Sequence, residues 1–180
     1  VGKDRGAETH PILGYNYRIS ELHAAVGLGQ LTKFDTILSI QKRNYTIVRN
    51  ALSSIEGITF RTVPEGGEEN YSFVNFFLPN EELTKKAHKS LSDHGVDANF
   101  YWYTNNWHYI NGWEHLRNVK SLGALTGSVR HQLERLNNTD FSKSDAIMSR
   151  TISSLVKVGW SEEEMILRAE KMRAAIASIF

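Results

Sequence analysis

The sequence predicts an α+β fold, in which a small antiparallel sheet carries helices on one face and is entered through a long linking helix. Three observations carry this expectation. Apolar residues recur at helical spacing over residues 20–52. β-branched and aromatic stretches follow at 58–63, 71–78, 96–103 and 151–158. Amphipathic helical patterns lie between the second and third of these and after the last, so the strand–strand–helix–strand order layers helices against a sheet.

Residues 1–17 have turn composition, with Gly, Pro and several charges. Lys3, Arg5, His10 and Arg18 place four potential cations in one short segment, which reads either as a solvated loop or as an anion-binding loop. Ser20 is an N-cap, because its hydroxyl accepts a backbone N–H left unpaired in the first turn, and Glu21 adds negative charge at the positive end of the helix dipole. Asn16 and Arg18 therefore stand just ahead of a helix start, where an amide and a guanidinium can face an anion.

Leu22, Val26, Phe34, Leu38, Tyr45, Val48 and Leu52 then line one helix face. The helix is long, and a break is expected between Thr32 and Asp35. Ala24, Ala25, Gly27 and Gly29 are small, and each Gly costs up to about 1 kcal/mol of helix stability relative to Ala. A closely packed neighbour, such as a second subunit, is expected there. Gly27-x-Gly29 is no dinucleotide fingerprint, since the third Gly is missing and the pair lies inside a helix.

Gly57 stops the helix. Ile58 to Val63 alternates like a half-buried strand, Pro64 to Asn70 is an acidic loop, and Tyr71 to Leu78 is the strongest strand. Glu82 to His94 reads as a helix with Leu83, Ala87 and Leu91 inward, closed by Gly95. Val96 to Tyr103 is strand-like again. Thr104 to Trp113 gathers two Trp, a Tyr, a His and three Asn. Aromatic faces beside amides and an imidazole suit a sugar or sugar-acid ring, or pack the loop on the sheet. His108 and His115 lack an acidic or third His partner at metal spacing, so no metal site is expected.

Gly123, Gly127 and Asn137-Asn138 break up Lys120 to Asp140, which predicts short helical turns and a variable loop. Ser144 or Asp145 opens a short helix through Ser149, and Thr151 to Val158 is a strand. Ser161-x-x-Glu164 is a capping box opening a terminal helix with Met165, Ala169, Met172, Ile176 and Phe180 on one face.

The chain has 180 residues, enough for a real core, and its net charge of +1 gives no reason to expect nucleic acid or an anionic membrane as partner. It has no Cys, which excludes disulfides and thiolate metal sites. No apolar run approaches the ~20 residues of a membrane helix. A cytoplasmic location is expected. The chain opens on Val1-Gly2-Lys3-Asp4, which is expected to be an internal stretch of a longer protein.

Gly14-x-Asn16-Tyr17-Arg18-Ile19-Ser20-Glu21-Leu22, then Ala24-Ala25 and Gln30-Leu31, resembles the DegT/DnrJ/EryC1/StrS family of pyridoxal-phosphate sugar aminotransferases, and the likeness runs to the end of the chain. It implies the carboxy-terminal small domain of a fold-type I aminotransferase. The implied parts are an active-site loop at 1–19 continuing from an upstream large domain, a linking helix at 20–55 and a small α+β domain at 56–180. It implies pyridoxal 5'-phosphate as cofactor and a homodimer in which Asn16 reaches the partner's cofactor phosphate. The Schiff-base lysine and the acid beside the cofactor ring are implied to lie upstream of Val1, so this portion alone contains no catalytic lysine. Arg18 is implied to face the substrate or brace the loop, with Tyr17, His10, Lys3 and Arg5 serving the same anion.

The family's Tyr-Tyr-Pro-x-Pro-Leu-His segment aligns with Trp102 to His108. Tyr103 and His108 keep the Tyr and His, while Thr104 and Asn106 replace both prolines. Tyr103, Asn106, Trp107 and His108 are implied substrate contacts. Three strings, Gly2 to Ile12, Phe100 to Tyr109 and Ser142 to Ser153, carry a narrower likeness within the family. It implies an octulosonate sugar acid as amino acceptor and glutamate as donor, in lipopolysaccharide synthesis. Nucleotide-linked keto-hexoses are the alternative acceptors, and a non-enzymatic carbohydrate-binding module is the alternative class.

Overall fold

A computed structural model describes residues 18–105 and 107–180. The chain divides into two compact units, Val1–Asp35 and Thr36–Phe180. In the first unit, α1 (Glu21–Leu31) starts as expected: the Ser20 hydroxyl accepts the His23 N–H at 3.3 Å. The expected break falls at Thr32–Lys33, where the Thr32 hydroxyl donates to the Gly29 carbonyl at 2.9 Å. No residue of α1 is buried, and Leu22, Val26, Leu28 and Leu31 are all exposed. A Cβ added at Gly27 or Gly29 would meet nothing within 4 Å.

α2 (Phe34–Ser53) runs into the second unit and buries Asn44, Val48 and Leu52. Gly57 follows at φ +89, a left-handed turn in which a Cβ would press on the Phe180 ring at 3.1 Å. The sheet has four strands in the order β1-β2-β4-β3, with every neighbouring pair antiparallel. They are β1 (Thr59–Phe60), β2 (Phe73–Phe77), β3 (Asn99–Phe100) and β4 (Thr151–Leu155).

All four strands are shorter than the sequence pattern predicts, and the backbone gives the reason for three. Tyr71 at φ +59 holds back the start of β2, and Ala98 at φ +53 delays β3. Past Phe60 the edge strand leaves the ladder: Arg61 pairs with Glu69 at 3.2 Å, and Pro64 has no N–H to give.

β4 is central and buried on both faces. On one face Val74, Phe76 and Ile152 join α2, α3 (Glu81–Asp93) and α7 (Glu162–Ala177) in a single core. α3 buries Thr84, Ala87 and Leu91 under an Asn80 cap, and α7 has the expected capping box at Ser161 and Glu164. Met165, Ala169, Met172 and Ile176 are inward as expected, but α7 ends at Ala177 and Phe180 is exposed.

After a one-turn α4 (Glu114–Arg117), the 120–140 stretch expected to be short turns and a loop instead contains an eleven-residue helix, α5 (Gly127–Asn137). Thr126 caps α5, and Leu133 and Leu136 are its half-buried stripe. α6 (Ser142–Met148) leads into β4. Among the described residues no helix is long and apolar enough to cross a membrane.

Candidate functional site

The sheet face opposite the helical core carries Phe73, Asn75, Phe100 and Ser153, with Trp102 stacked on Phe100. Phe100 pairs with Ser153, and Asn75 pairs with Ser153 from the other side, so all three point to this face. The Ser153 hydroxyl donates to Asn75 Oδ1 at 2.7 Å. Phe100 stacks on Trp102, with centroids 4.6 Å apart and planes 2° apart, and Phe73 meets Phe100 edge-on at 6.2 Å. His108 stands edge-on to Trp102 at 4.6 Å and to Trp107 at 6.3 Å. The loop from Tyr101 to Trp113 thus folds back over its own strand, and Trp107 is 69% exposed at its tip.

The far end of this loop is tied to α6. The Tyr109 hydroxyl donates to Asp145 Oδ1. Asn111 Nδ2 donates to the same oxygen at 2.9 Å and to the Tyr109 hydroxyl at 3.2 Å. Tyr103 lies 5.6 Å from Tyr109, ring to ring. Beneath them the buried Tyr101 hydroxyl donates to the Ser149 carbonyl at 3.0 Å. A cavity of about 470 Å³ opens beside this cluster, lined by Tyr103, Asn111, Arg117, Asn137, Ser142 and Asp145 among others. Its size lies within the roughly 300–1,000 Å³ of small-molecule sites.

Burial pushes the Tyr101 phenol up to about 12, with the Glu81 charge adding to the effect. Burial, then the hydrogen bond to Asp145 and its charge, raise Tyr109 well above the ordinary tyrosine range. Both phenols are therefore donors at neutral pH. An unfolded tyrosine titrates near ~10, so folding favours the protonated phenol. That stability is complete below ~10 and is lost as the pH rises toward the folded values. The melting temperature should fall over this alkaline range, and Tyr109→Phe should fall less steeply than the wild type, measured by thermal melts against pH.

Tyr103, Trp107 and His108 are thus in one loop, but only Tyr103 reaches the cavity. Arg18 is exposed in the first unit. Lys3, Arg5, His10, Asn16, Tyr17 and Asn106 lie outside the described residues. Sequence reasoning passed over Asn111, Arg117, Asn137 and Asp145. Asn111 lay in the anomalous 104–113 segment, and Asp145 lay at a helix start inside the Ser142 to Ser153 string, where nothing marked it as a site residue.

A family model matches residues 1–166, described as the DegT/DnrJ/EryC1/StrS aminotransferase family. The chain belongs to that family. It is 27% identical over 93 residues to the putative pyridoxal phosphate-dependent aminotransferase EpsN of Bacillus subtilis (strain 168), covering 52% of this chain and 24% of that protein. Among solved structures it resembles 3-amino-5-hydroxybenzoic acid (AHBA) synthase, with a TM-score of 0.57 and 24% identity, covering 97% of this chain and 43% of the other. At that identity the likeness establishes the fold, a domain of a fold-type I aminotransferase with helices and a small antiparallel sheet. The chain spans about a quarter of the first relative's length and less than half of the second's.

The family's cofactor is pyridoxal 5'-phosphate, as the sequence implies. Every described lysine is exposed. Lys85, Lys86 and Lys89 are engaged with Glu81, Glu82 and Asp93 one turn away on α3, and Lys42 and Lys157 pair with Glu68 and Asp97. None offers the desolvated amine that holds a carbonyl cofactor.

Proposed function

We propose that this chain is the small-domain portion of a pyridoxal-phosphate aminotransferase that acts as an 8-amino-3,8-dideoxy-octulosonate transaminase. The whole enzyme would convert an 8-oxo-3-deoxy-octulosonate to the 8-amino sugar acid with glutamate as donor, for lipopolysaccharide synthesis. Family membership over residues 1–166 supports the reaction class. The observation that carries the substrate is the loop in which Thr104 and Asn106 replace the family's prolines, flanked by Trp102, Trp107 and His108. Amide and aromatic groups there suit a free sugar acid better than a nucleotide-linked hexose.

The bound cofactor supplies the electron sink for amino transfer. In this reading the upstream large domain brings the cofactor lysine, and the 1–19 loop, the 20–55 linking helix and the 56–180 domain complete the site. The Asn16 amide donates to the cofactor phosphate of the homodimer partner, since a short stem fixes its NH2 group. Arg18 holds a carboxylate of the octulosonate or of glutamate through a bidentate fork, assisted by Tyr17, His10, Lys3 and Arg5. Tyr103, Asn106, Trp107 and His108 orient the sugar.

The test uses the full-length protein. It should carry a cofactor absorbance band that glutamate bleaches and that an 8-oxo octulosonate restores. A protein with no such band overturns the reaction class. A band restored only by nucleotide-linked keto-hexoses overturns the substrate and favours the alternative acceptors.

A further inference from the structure

We infer that the cavity between the Tyr103–Asn111 loop, α5 and α6 binds a polyhydroxylated sugar acid, with Asp145 and Arg117 as its anchors. The site stands on the lining of this cavity, and the choice of a sugar acid as its ligand rests on the proposed function.

The floor is a built polar cluster. Tyr109 is buried, and its hydroxyl and the Asn111 amide both donate to Asp145 Oδ1. Two donors converging on one oxygen fix the carboxylate plane, and Asp145 also lines the cavity. A carboxylate held in this way can accept from ligand hydroxyls through its remaining lone pairs without reorganising. The loop and α6 are far apart in sequence, so the convergence is a property of the folded chain.

The walls select the ligand. Asp140 also lines the cavity: its two oxygens accept the Ser142 N–H at 2.8 Å and the Ser142 hydroxyl at 3.0 Å, and each keeps a lone pair for a ligand hydroxyl. Arg117 donates from Nη1 to the Asn111 carbonyl at 3.2 Å, which uses one of its five N–H groups. Asn137 lies between, its Nδ2 donating to the Arg117 carbonyl. Amide, hydroxyl, guanidinium and carboxylate groups beside two rings, Tyr103 and Phe141, and the apolar side chains of Ile110 and Leu136 match a ligand that is rich in hydroxyls and also offers a carbon face. A wholly apolar ligand would leave these groups unpaired, at a cost. The guanidinium adds a preference for one carboxylate on that ligand.

Calorimetric titration of the full-length protein with 3-deoxy-octulosonate tests this. Asp145→Asn should weaken binding about tenfold, since a hydrogen bond to a charged group is lost. Arg117→Gln, at an exposed position, should weaken it about fivefold. Should Asp145→Asn melt well below the wild type, Arg117→Gln decides. No binding by the wild type, or binding within twofold of it by folded variants, overturns the inference. A cofactor band bleached by glutamate together with variants that bind like the wild type overturns this inference alone. Weakened binding in a protein without the band overturns the aminotransferase reading alone.

Discussion

Replacing Phe76 by Ala is expected to lower the unfolding free energy by about 3–5 kcal/mol, a large part of what a domain of this size has. Phe76 is 0% exposed and stands near the end of β2, opposite Ile152 on β4 and Phe60 on β1. It belongs to the one cluster that joins α2, α3 and α7 to the sheet. Deleting its ring removes transfer energy and also leaves a cavity, because helices on one side and a hydrogen-bonded ladder on the other limit collapse. Phe77→Ala, one residue on and half-buried on the opposite face, should cost less than half as much. Urea denaturation of the two variants decides. Equal losses would mean that the two faces of β2 are equally committed, and the core would have to be redrawn.

The same alternation explains what the sequence made legible. Strand and helix identity followed from apolar period, and it held for α2, α3, α7, β2 and β4. Strand ends did not follow, because Tyr71 and Ala98 take left-handed φ without the Gly or Asn that announces it. α1 and α2 share one apolar rhythm, yet α2 buries Val48 and Leu52 while α1 buries no residue. Period reports that a helix has an apolar face, not whether the described chain covers it. In the candidate site, the 104–113 segment stood out by composition. Its tie to Asp145 was invisible, since the partners lie 34 and 36 residues apart with no shared period. The α5 helix was missed because Gly127 and Asn137-Asn138 read as breakers, whereas Gly127 follows a Thr126 cap.

Asn44 is the residue that a periodicity argument discards and the fold depends on. It is 0% exposed in the middle of α2, among Val48 and Leu52. Its Nδ2 donates to the Lys157 carbonyl at 3.1 Å and the Trp160 carbonyl at 3.2 Å, and its Oδ1 accepts from Arg43 Nε at 3.0 Å and Nη2 at 2.9 Å. One amide thereby satisfies both ends of the turn between β4 and α7. That turn also holds Trp160 between Lys157 at 4.8 Å and Arg168 at 4.6 Å, and Arg168 Nη1 reaches Asp97 Oδ1 at 2.7 Å, just before β3 and the aromatic loop. Asn44→Ala should cost about 2–3 kcal/mol, the range expected when buried polar groups lose their partner. Asn44→Leu should cost nearly as much, since filling the volume removes the amide from both carbonyls and leaves them only the longer 3.4 Å bonds from Arg43 Nη2 to the Trp160 carbonyl and from the Trp160 N–H to the Lys157 carbonyl. If Leu instead restores most of the stability in urea denaturation, packing is what matters at this position and the amide is dispensable. Hydrogen exchange adds a second reading. Amides of 157–161 should lose protection first in either variant, because the carbonyl anchors are lost there and the α7 capping box beyond them is intact.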